Sequence, residues 1–261
     1  MTADRLKRIF CARGSCVALS ASGRTRHGIP DCTRVASAFT SYRQVGPVDR
    51  QIGDNFISYL GACSDIHMPA KTFIETYQVE AEVCDQIARF FEQNRHMAQP
   101  GRLGENPRID KSMKDSLDIT IPIKMYGHFD TFFDQLLDSV KAYLDTYYYS
   151  VGADGLGPLW LSQHANIQWY PKGGGYPAVH CERDRLEYSH RALVWMLYLT
   201  DTPGGGTAFP HQDVITECEK GKLIIWPSDM THMHHGVVST SHEKMIFTGW
   251  IDFVRPPRST D

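Results

Sequence analysis

Histidine and acidic side chains gather in two short stretches of the C-terminal half. The first, YPAVHCERD, contains His180 and Glu182. Side chains two residues apart in an extended chain point to the same side, so this imidazole and this carboxylate converge. The second stretch, THMHHG, offers His232, His234 and His235 further along, where a neighbouring strand can bring the chain back to the first. Together the two stretches can supply one metal site.

The donor types restrict the chemistry of such a site. Two histidines and one carboxylate, with the other positions left open, are the ligand set of non-haem Fe(II) oxygenases. The same donors also serve zinc hydrolases. A β-barrel that binds a metal ion without oxidising anything is a further interpretation, so the donor set alone leaves all three open.

A lysine at the start of a predicted strand adds a different kind of group. In HEKMIFTGWIDFV, four residues share one face of an extended chain: Lys244, Ile246, Thr248 and Trp250. A lysine on a strand that enters a core needs an anionic partner, because an unpaired buried charge is costly. A carboxylate-bearing cosubstrate beside the metal would be that partner, and Thr248 could add a hydroxyl contact. A zinc hydrolase has no need of this anchor.

Several ordered motifs, from about Leu159 to Val254, carry a family resemblance. They are IQWYPKGGGYPAVHCE, RALVWMLYLTD, PGGGTAFP, GKLIIWPSDMTHMHHG and EKMIFTGW. This part of the chain resembles the 2-oxoglutarate and Fe(II)-dependent dioxygenases, particularly the prolyl 4-hydroxylase-like group. The resemblance implies a mainly β fold with flanking helices, built on a double-stranded β-helix (jelly-roll, cupin-like) core.

By this resemblance the metal ligands are His180, Glu182 and His234. In the family the distal histidine lies nine or ten residues before the basic residue that binds the cosubstrate. A spacing of ten residues from Lys244 selects His234, and a spacing of nine selects His235. The family pattern Thr-His-X-His-(basic)-Gly favours His234. Many members carry His-X-Asp where this chain has Glu182. Because related halogenases lack the carboxylate, its presence favours hydroxylation.

The resemblance also implies the cosubstrate and the reaction. The expected cofactors are Fe(II), 2-oxoglutarate and O2, with ascorbate in a supporting role. Lys244 and Tyr198 are expected to bind the distal carboxylate of 2-oxoglutarate through charge-assisted hydrogen bonding, and Tyr170 to approach the cosubstrate. The expected reaction is hydroxylation of an unactivated C–H bond, with a prolyl residue of a peptide or protein as the leading substrate. A free amino acid or another small metabolite is the alternative.

Aromatic and arginine side chains line the peptide grooves of the prolyl 4-hydroxylase-like group. Here the resemblance makes Trp169, Trp195 and Arg183 candidates for such a groove. Packing in the core explains the two tryptophans equally well, so both interpretations stay open for them.

Apolar periodicity predicts the elements that support the site. Stripes at helical spacing in VEAEVCDQIARFFEQN and HFDTFFDQLLDSVKAYLDTYYYSV predict two helices, which we expect on the outside of a β-barrel. LWLSQHANIQWYP alternates polar and apolar residues, and RALVWMLYLTD is apolar on both faces of a strand. We expect an N-terminal extension over 1–50, helical and loop support over 51–158, and the catalytic core over 159–261, the last two forming one domain.

Composition narrows the partners and the compartment. The chain has 261 residues, of which 42% are hydrophobic and 22% charged, as expected for one domain with an extension. A net charge of -3 gives no reason to expect nucleic acid, and no apolar run is long enough to cross a membrane. Seven cysteines without a CxxC pair predict reduced thiols in the cytoplasm, although Arg and Ser near the start leave a transit peptide open. The oligomeric state does not follow from the composition.

Overall fold

The computed structural model describes residues 71–102, 109–147 and 157–255. The described residues from Thr72 onward belong to one structural unit. The expected N-terminal extension, 1–50, lies outside the described residues, and so does part of the loop that precedes the third strand. Nothing in the structure therefore tests the predicted division into three parts.

Strands and helices alternate irregularly along the described ranges. In chain order they are β1 (Glu75–Gln78), α1 (Ala81–Gln93), β2 (Gln99–Pro100), β3 (Leu117–Pro122), α2 (Asp130–Tyr147), β4 (Leu159–Tyr170), β5 (Arg191–Tyr198), β6 (Thr207–Phe209), β7 (Val214–Thr216), β8 (Lys222–Pro227), β9 (His235–Gly236) and β10 (Lys244–Phe253). Both helices and the strands β4, β5 and β10 lie where the periodicity predicts them.

The strands form two antiparallel sheets. The larger has the order β1-β8-β5-β10-β4-β3-β2, and the smaller has the order β7-β6-β9. β10 is hydrogen bonded to β4 on one edge and to β5 on the other. This register sets Lys244 opposite Tyr170, and Ile246 opposite Tyr198. Side chains on one face of β10 therefore meet those of both neighbouring strands.

The two helices cover one face of the larger sheet. Their buried residues are Val83, Cys84, Ile87 and Phe91 of α1, and Phe132, Phe133, Leu136, Leu137, Val140 and Tyr143 of α2. These join inward-facing strand residues in one apolar cluster, where the ring centroids of Trp195 and Phe247 lie 5.1 Å apart. A Cβ at Gly249 would lie 2.6 Å from the Trp195 ring, so this packing requires glycine there. The prediction of helices outside the β core is confirmed.

A second apolar cluster lies on the opposite face, between the two sheets. Its buried members are Tyr170, Val194, Met196, Tyr198, Phe209, Cys218, Ile224, Trp226, Ile246 and Trp250. Alternation along β10 separates the two cores, because Met245 and Phe247 belong to the helix side while Ile246 and Trp250 belong to the inner one. The polar side chains of this inner face surround the cavity described next.

Candidate active site

Three side chains converge at one end of the space between the sheets. His180, Glu182 and His234 each offer a ligand atom, and these atoms all lie within 4.8 Å of one another. Oε1 of Glu182 is 3.4 Å from Nε2 of His180 and 3.6 Å from Nε2 of His234. Among the residues the structure describes, this is the only group of three or more His, Cys, Asp or Glu side chains with such spacing.

A short antiparallel bridge brings the two histidines together. The main-chain N–H of His180 donates to the carbonyl of His234 at 3.0 Å, and the N–H of His234 donates back at 2.8 Å. Their rings lie 4.4 Å apart, and the ring of Tyr176 stacks on that of His180 at 4.0 Å. The return of the chain on a neighbouring segment, which the sequence required, is made by this pair of hydrogen bonds.

Hydrogen bonds to main-chain carbonyls fix the tautomer of both imidazoles. Nδ1 of His180 lies 2.8 Å from the carbonyl oxygen of Ala178, and Nδ1 of His234 lies 2.9 Å from that of His232. A carbonyl oxygen only accepts, so each Nδ1 carries the proton and donates it. Nε2 of each ring therefore faces Glu182, and in a neutral imidazole with the proton on Nδ1 it is the atom through which histidine binds a metal.

Glu182 is held in its ionised form. Burial acts to raise its pKa, but the contacts with His180 and His234 outweigh burial and hold the pKa well below its usual range. Its second oxygen, Oε2, accepts hydrogen bonds from Nε1 of Trp250 at 3.1 Å and from Nη1 of Arg191 at 3.3 Å. The carboxylate is therefore available as an anionic ligand at the pH of a cell.

A cavity of about 890 Å³ lies along the inner face of the larger sheet and includes the three side chains His180, Glu182 and His234, called the metal cluster below. Its lining includes the three clustered residues together with Tyr170, Thr207, Lys244 and Thr248. Side chains from the polar face of β4 also line it, as the alternation of that strand predicts: His164, Asn166, Gln168 and Tyr170. Volume and lining both leave room for more than a metal ion.

Of the residues that the structure describes, three buried cationic side chains line this cavity: Lys114, Arg191 and Lys244. The first two pair with Asp118 and Glu182, so Lys244 is the one of interest here. Nζ donates to the carbonyl of Gly205 at 2.8 Å and lies 3.4 Å from that of Val237, and it stands 5.1 Å from the ring centroid of Tyr170. Burial lowers its pKa to about 8. Within the described ranges no carboxylate forms an ion pair with Lys244, so its charge is unpaired in the cavity that His180, Glu182 and His234 also line, as the strand pattern predicts.

The hydroxyl of Tyr170 takes part in a chain of hydrogen bonds. It lies 2.7 Å from Oε1 of Gln168, whose Nε2 lies 3.4 Å from a carboxylate oxygen of Asp118. That carboxylate also accepts from Lys114 at 2.7 Å and from Ser116 at 2.8 Å. Because an ionised carboxylate only accepts, Gln168 presents its N–H to Asp118 and its oxygen to Tyr170, which must donate. The Tyr170 hydroxyl can therefore act towards the cavity only as a hydrogen-bond acceptor.

The hydroxyl groups of Tyr198 and Thr248 have partners other than those that their predicted roles require. The hydroxyl of Tyr198 lies 2.8 Å from those of Thr207 and Thr216, and Tyr198 is fully buried without lining the cavity. Thr248 lines the cavity, but its hydroxyl donates to the carbonyl of Trp195 at 2.9 Å. The structure therefore does not bring the Tyr198 hydroxyl to the cavity surface. Thr207, which the sequence did not single out, is the cavity-lining hydroxyl next to it.

The two neighbouring histidines, His232 and His235, form hydrogen bonds outside the cluster. His232 is buried, with Nε2 lying 2.9 Å from the carbonyl of Thr72 and Nδ1 2.8 Å from the hydroxyl of Thr231. Nδ1 of His235 lies 3.4 Å from the carbonyl of Gly236. Neither belongs to the cluster of potential ligand atoms. Geometry thus favours His234 over both neighbours.

The three side chains suggested for a peptide groove do not line the cavity. Trp195 is 1% exposed in the helix-side core. Trp169 donates to Glu243 at 3.2 Å, and Arg183 pairs with Asp229 at 2.8 Å. Alternation along β4 and β5 turns both tryptophans to the helix side of the sheet, which favours packing over a groove for them. A groove role for Arg183 stays a prediction.

Two residues of the site, Arg191 and Trp250, were missed by sequence reasoning. Both line the cavity and contact Glu182. Trp250 shares a face of β10 with Lys244, so the alternation of the strand could have identified it as a residue of the site. Arg191 is the first residue of β5, and nothing in the local pattern distinguishes it from an ordinary charged residue at a strand end.

The residues present fit iron(II) and 2-oxoglutarate. Two imidazoles and one carboxylate are the donors that such an iron site uses, with other positions left open. Lys244 offers an unpaired buried charge for the distal carboxylate of a dicarboxylic acid in the same cavity. The roles of the individual side chains as ligands stay predictions.

Comparison with known proteins is consistent with this geometry. Residues 165–252 match the family described as the 2OG-Fe(II) oxygenase superfamily. No curated protein sequence matches the chain.

Three solved structures share the fold at low sequence identity. A prolyl-4-hydroxylase of Pseudomonas putida is 17% identical with a TM-score of 0.52, covering 70% of this chain and 94% of that one. The viral collagen prolyl hydroxylase of Paramecium Bursaria Chlorella virus-1, in its 2OG complex, is 17% identical with a TM-score of 0.52, covering 70% and 97%. A prolyl hydroxylase of Trichoplax adhaerens is 14% identical with a TM-score of 0.54, covering 79% and 94%.

These likenesses confirm the expected fold, a mainly antiparallel double-stranded β-helix with two helices packed outside it. In the described part of the chain no helix has the length and apolar character needed to span a membrane. Residues 165–252 thus resemble the 2OG-Fe(II) oxygenase superfamily, whose members use Fe(II), 2-oxoglutarate and O2, and the fold is similar to that of the solved prolyl hydroxylases.

Proposed function

We propose that the protein hydroxylates an unactivated C–H bond of a prolyl residue in a peptide or protein, with Fe(II), 2-oxoglutarate and O2. The observation that carries this proposal is one cavity that holds both the His180, Glu182 and His234 cluster and the unpaired amine of Lys244. A metal site without a cosubstrate would need only the first of these. A dicarboxylate-dependent oxygenase needs both.

The open side of the cavity supports a peptide substrate. Besides His180, Glu182 and His234, the lining includes Met97 and Met113, which are 51% and 42% exposed. The Trichoplax adhaerens prolyl hydroxylase has been solved with a peptide fragment of hypoxia inducible factor. A peptide entering from the side of Met97 and Met113 would reach the metal cluster with one residue.

The side chains of this chain have distinct tasks in the proposed reaction. His180, Glu182 and His234 would hold the iron, and Lys244 would orient 2-oxoglutarate through its distal carboxylate. When bound, iron and 2-oxoglutarate supply the oxidation of the C–H bond by O2. The ring of Tyr176 stacks on that of His180, and the ring of Trp226 packs at 5.1 Å from that of His234, so aromatic contacts help to orient both imidazoles.

Succinate formation from 2-oxoglutarate tests the proposal. The purified protein is loaded anaerobically with Fe(II) and exposed to O2 with proline-containing peptides, free proline or other free amino acids. We expect a basal succinate signal that at least one peptide stimulates, together with an increase of 16 Da in the mass of that peptide.

The matched control is Glu182→Ala, which removes the anionic ligand and should abolish both signals. Stimulation by free proline or another metabolite, and by none of the peptides, would contradict the peptide assignment while leaving the enzyme class intact. No succinate in any mixture, from protein that still binds metal, would contradict the oxygenase assignment itself.

A further inference from the structure

The two oxygens of Glu182 have different surroundings. Oε1 faces the imidazoles, at 3.4 Å from Nε2 of His180 and 3.6 Å from Nε2 of His234. Oε2 accepts hydrogen bonds from Nε1 of Trp250 at 3.1 Å and from Nη1 of Arg191 at 3.3 Å. One oxygen is therefore free to bind a metal, while donors from two paired strands hold the other.

Arg191 is itself held on several sides. Its guanidinium carbon lies 3.7 Å from the ring centroid of Trp250 and 4.0 Å from that of Tyr188. Nη1 also donates to the main-chain carbonyl of Glu182 at 2.9 Å. A guanidinium group is planar and stacks on aromatic faces, so the two rings restrict it to one orientation. Arg191 thus ties both the side chain and the backbone of Glu182 to β5.

The pairing of β5 with β10 keeps the two donors at a constant separation. Arg191 is the partner of Asp252, and Val194 is the partner of Trp250, in the register of these strands. Side chains carried by neighbouring strands of one sheet move together, because the backbone hydrogen bonds fix their spacing. The donors therefore form a rigid support for Glu182.

A glutamate in this position requires such support more than an aspartate would. Its carboxylate has one more rotatable bond, and so more orientations to lose when it binds a metal. A carboxylate can also bind a metal through one oxygen or through two. Occupation of Oε2 by Trp250 and Arg191 leaves Oε1 for the metal, and other coordination positions stay open for the cosubstrate and O2.

We propose that Arg191 and Trp250 are positioning residues that fix Glu182 as a one-oxygen metal ligand, and that this support lets a glutamate serve where many relatives carry an aspartate. The proposal rests on the proposed function for the presence of a metal site. Partners of metal ligands typically contribute about 10–100-fold in metal affinity. An effect of that size is measurable without any turnover.

The test is anaerobic titration of the full chain with Co(II), followed by the visible absorption of the bound metal. Trp250→Phe removes the indole N–H but keeps a ring against Arg191. We expect the Co(II) affinity to fall about tenfold or more, and the absorption spectrum to change because Glu182 binds differently. Arg191→Lys keeps the charge but loses the planar stacking, so it should change both readouts in the same direction.

Trp195→Phe is the matched control. Trp195 is also buried, at 1% exposure against 9% for Trp250, and its Nε1 has no hydrogen-bond partner in the part of the chain that is described. This variant should lower thermal stability and leave the affinity and the spectrum of Co(II) unchanged. It separates loss of the hydrogen bond from a general effect of shortening a buried tryptophan.

Glu182→Asp supplies a second, independent readout. The shorter side chain cannot bind the metal and still reach Trp250, so Trp250→Phe should have no further effect on Co(II) binding in this background. Wild-type affinity and spectrum in Trp250→Phe, or an equal loss with Glu182 and with Asp at this position, would overturn the positioning role alone. Absence of Co(II) binding to the wild-type protein would instead overturn the metal site and the proposed function. Should Trp250→Phe fail to fold, Arg191→Lys decides.

Discussion

Raising the pH should weaken the binding of 2-oxoglutarate through Lys244. Burial lowers the pKa of this lysine from 10.5 to about 8 in the free protein. The carboxylates of 2-oxoglutarate are ionised throughout the neutral and alkaline range, so the lysine is the partner that titrates. A dianion binds the protonated amine and raises its pKa, so binding takes up a proton and becomes weaker as the pH rises past about 8.

The size of the effect follows from the fraction of protonated lysine. If only the protonated form binds, the apparent Kd is proportional to 1 + 10^(pH − pKa), which increases about tenfold between pH 7 and pH 9 for a pKa of about 8. Tenfold corresponds to about 1.4 kcal/mol of binding free energy.

The folding stability of the free protein depends on pH in the opposite direction. The unfolded chain binds more protons between about 8 and 10.5, so this residue's contribution to stability rises with pH across that window.

Calorimetric titration of 2-oxoglutarate into the Mn(II)-loaded protein without O2, at several pH values from 7 to 9, measures this dependence. Lys244→Arg is the matched control, because a guanidinium group stays protonated over the whole range. Its affinity should be independent of pH, whatever its absolute value. A pH-independent affinity in the wild type, or the same decrease in Lys244→Arg, would refute the reasoning and remove Lys244 from the cosubstrate site.

Three further substitutions test the assignments around the metal and the cosubstrate. His234→Ala should abolish Fe(II)-dependent succinate formation, whereas His232→Ala should retain much of it, because Nε2 of His232 lies against the carbonyl of Thr72 and away from the cluster; the reverse ranking would make His232 the ligand. Tyr170→Phe should change the KM for 2-oxoglutarate by less than about threefold, which is under 1 kcal/mol, because the hydroxyl donates its proton to Gln168. An increase of tenfold or more would mean that Tyr170 turns from Gln168 to the cosubstrate, as the family resemblance predicts.

Local patterns determined much of the fold and part of the site. The two helices follow from apolar stripes at helical spacing, which depend on neighbours three and four residues apart. The shared face of Lys244, Thr248 and Trp250 follows from the two-residue period of a strand. For the same reason His180 and Glu182 could be predicted to converge, and their closest side-chain atoms are 3.4 Å apart.

Long-range pairing decided the rest, and no local pattern contains it. The choice of His234 depends on a bridge between two segments outside regular strands, formed by its backbone hydrogen bonds with His180. The support of Glu182 depends on Trp250, which is 68 residues away along the chain and comes within 3.1 Å. Such contacts are set by strand order and register in the sheet, which the spacing of residue types does not specify.

The tyrosines illustrate the same division. The sequence correctly assigned Tyr198 to a buried strand, but the tertiary structure directs its hydroxyl to Thr207 and Thr216, on another sheet. In the same way, Tyr170 reaches the cavity by alternation along β4, while its hydrogen-bond polarity is decided by Gln168 through its contact with β3. Residue type and period determine which side of a strand a group occupies, whereas its partner depends on which strands the fold brings alongside.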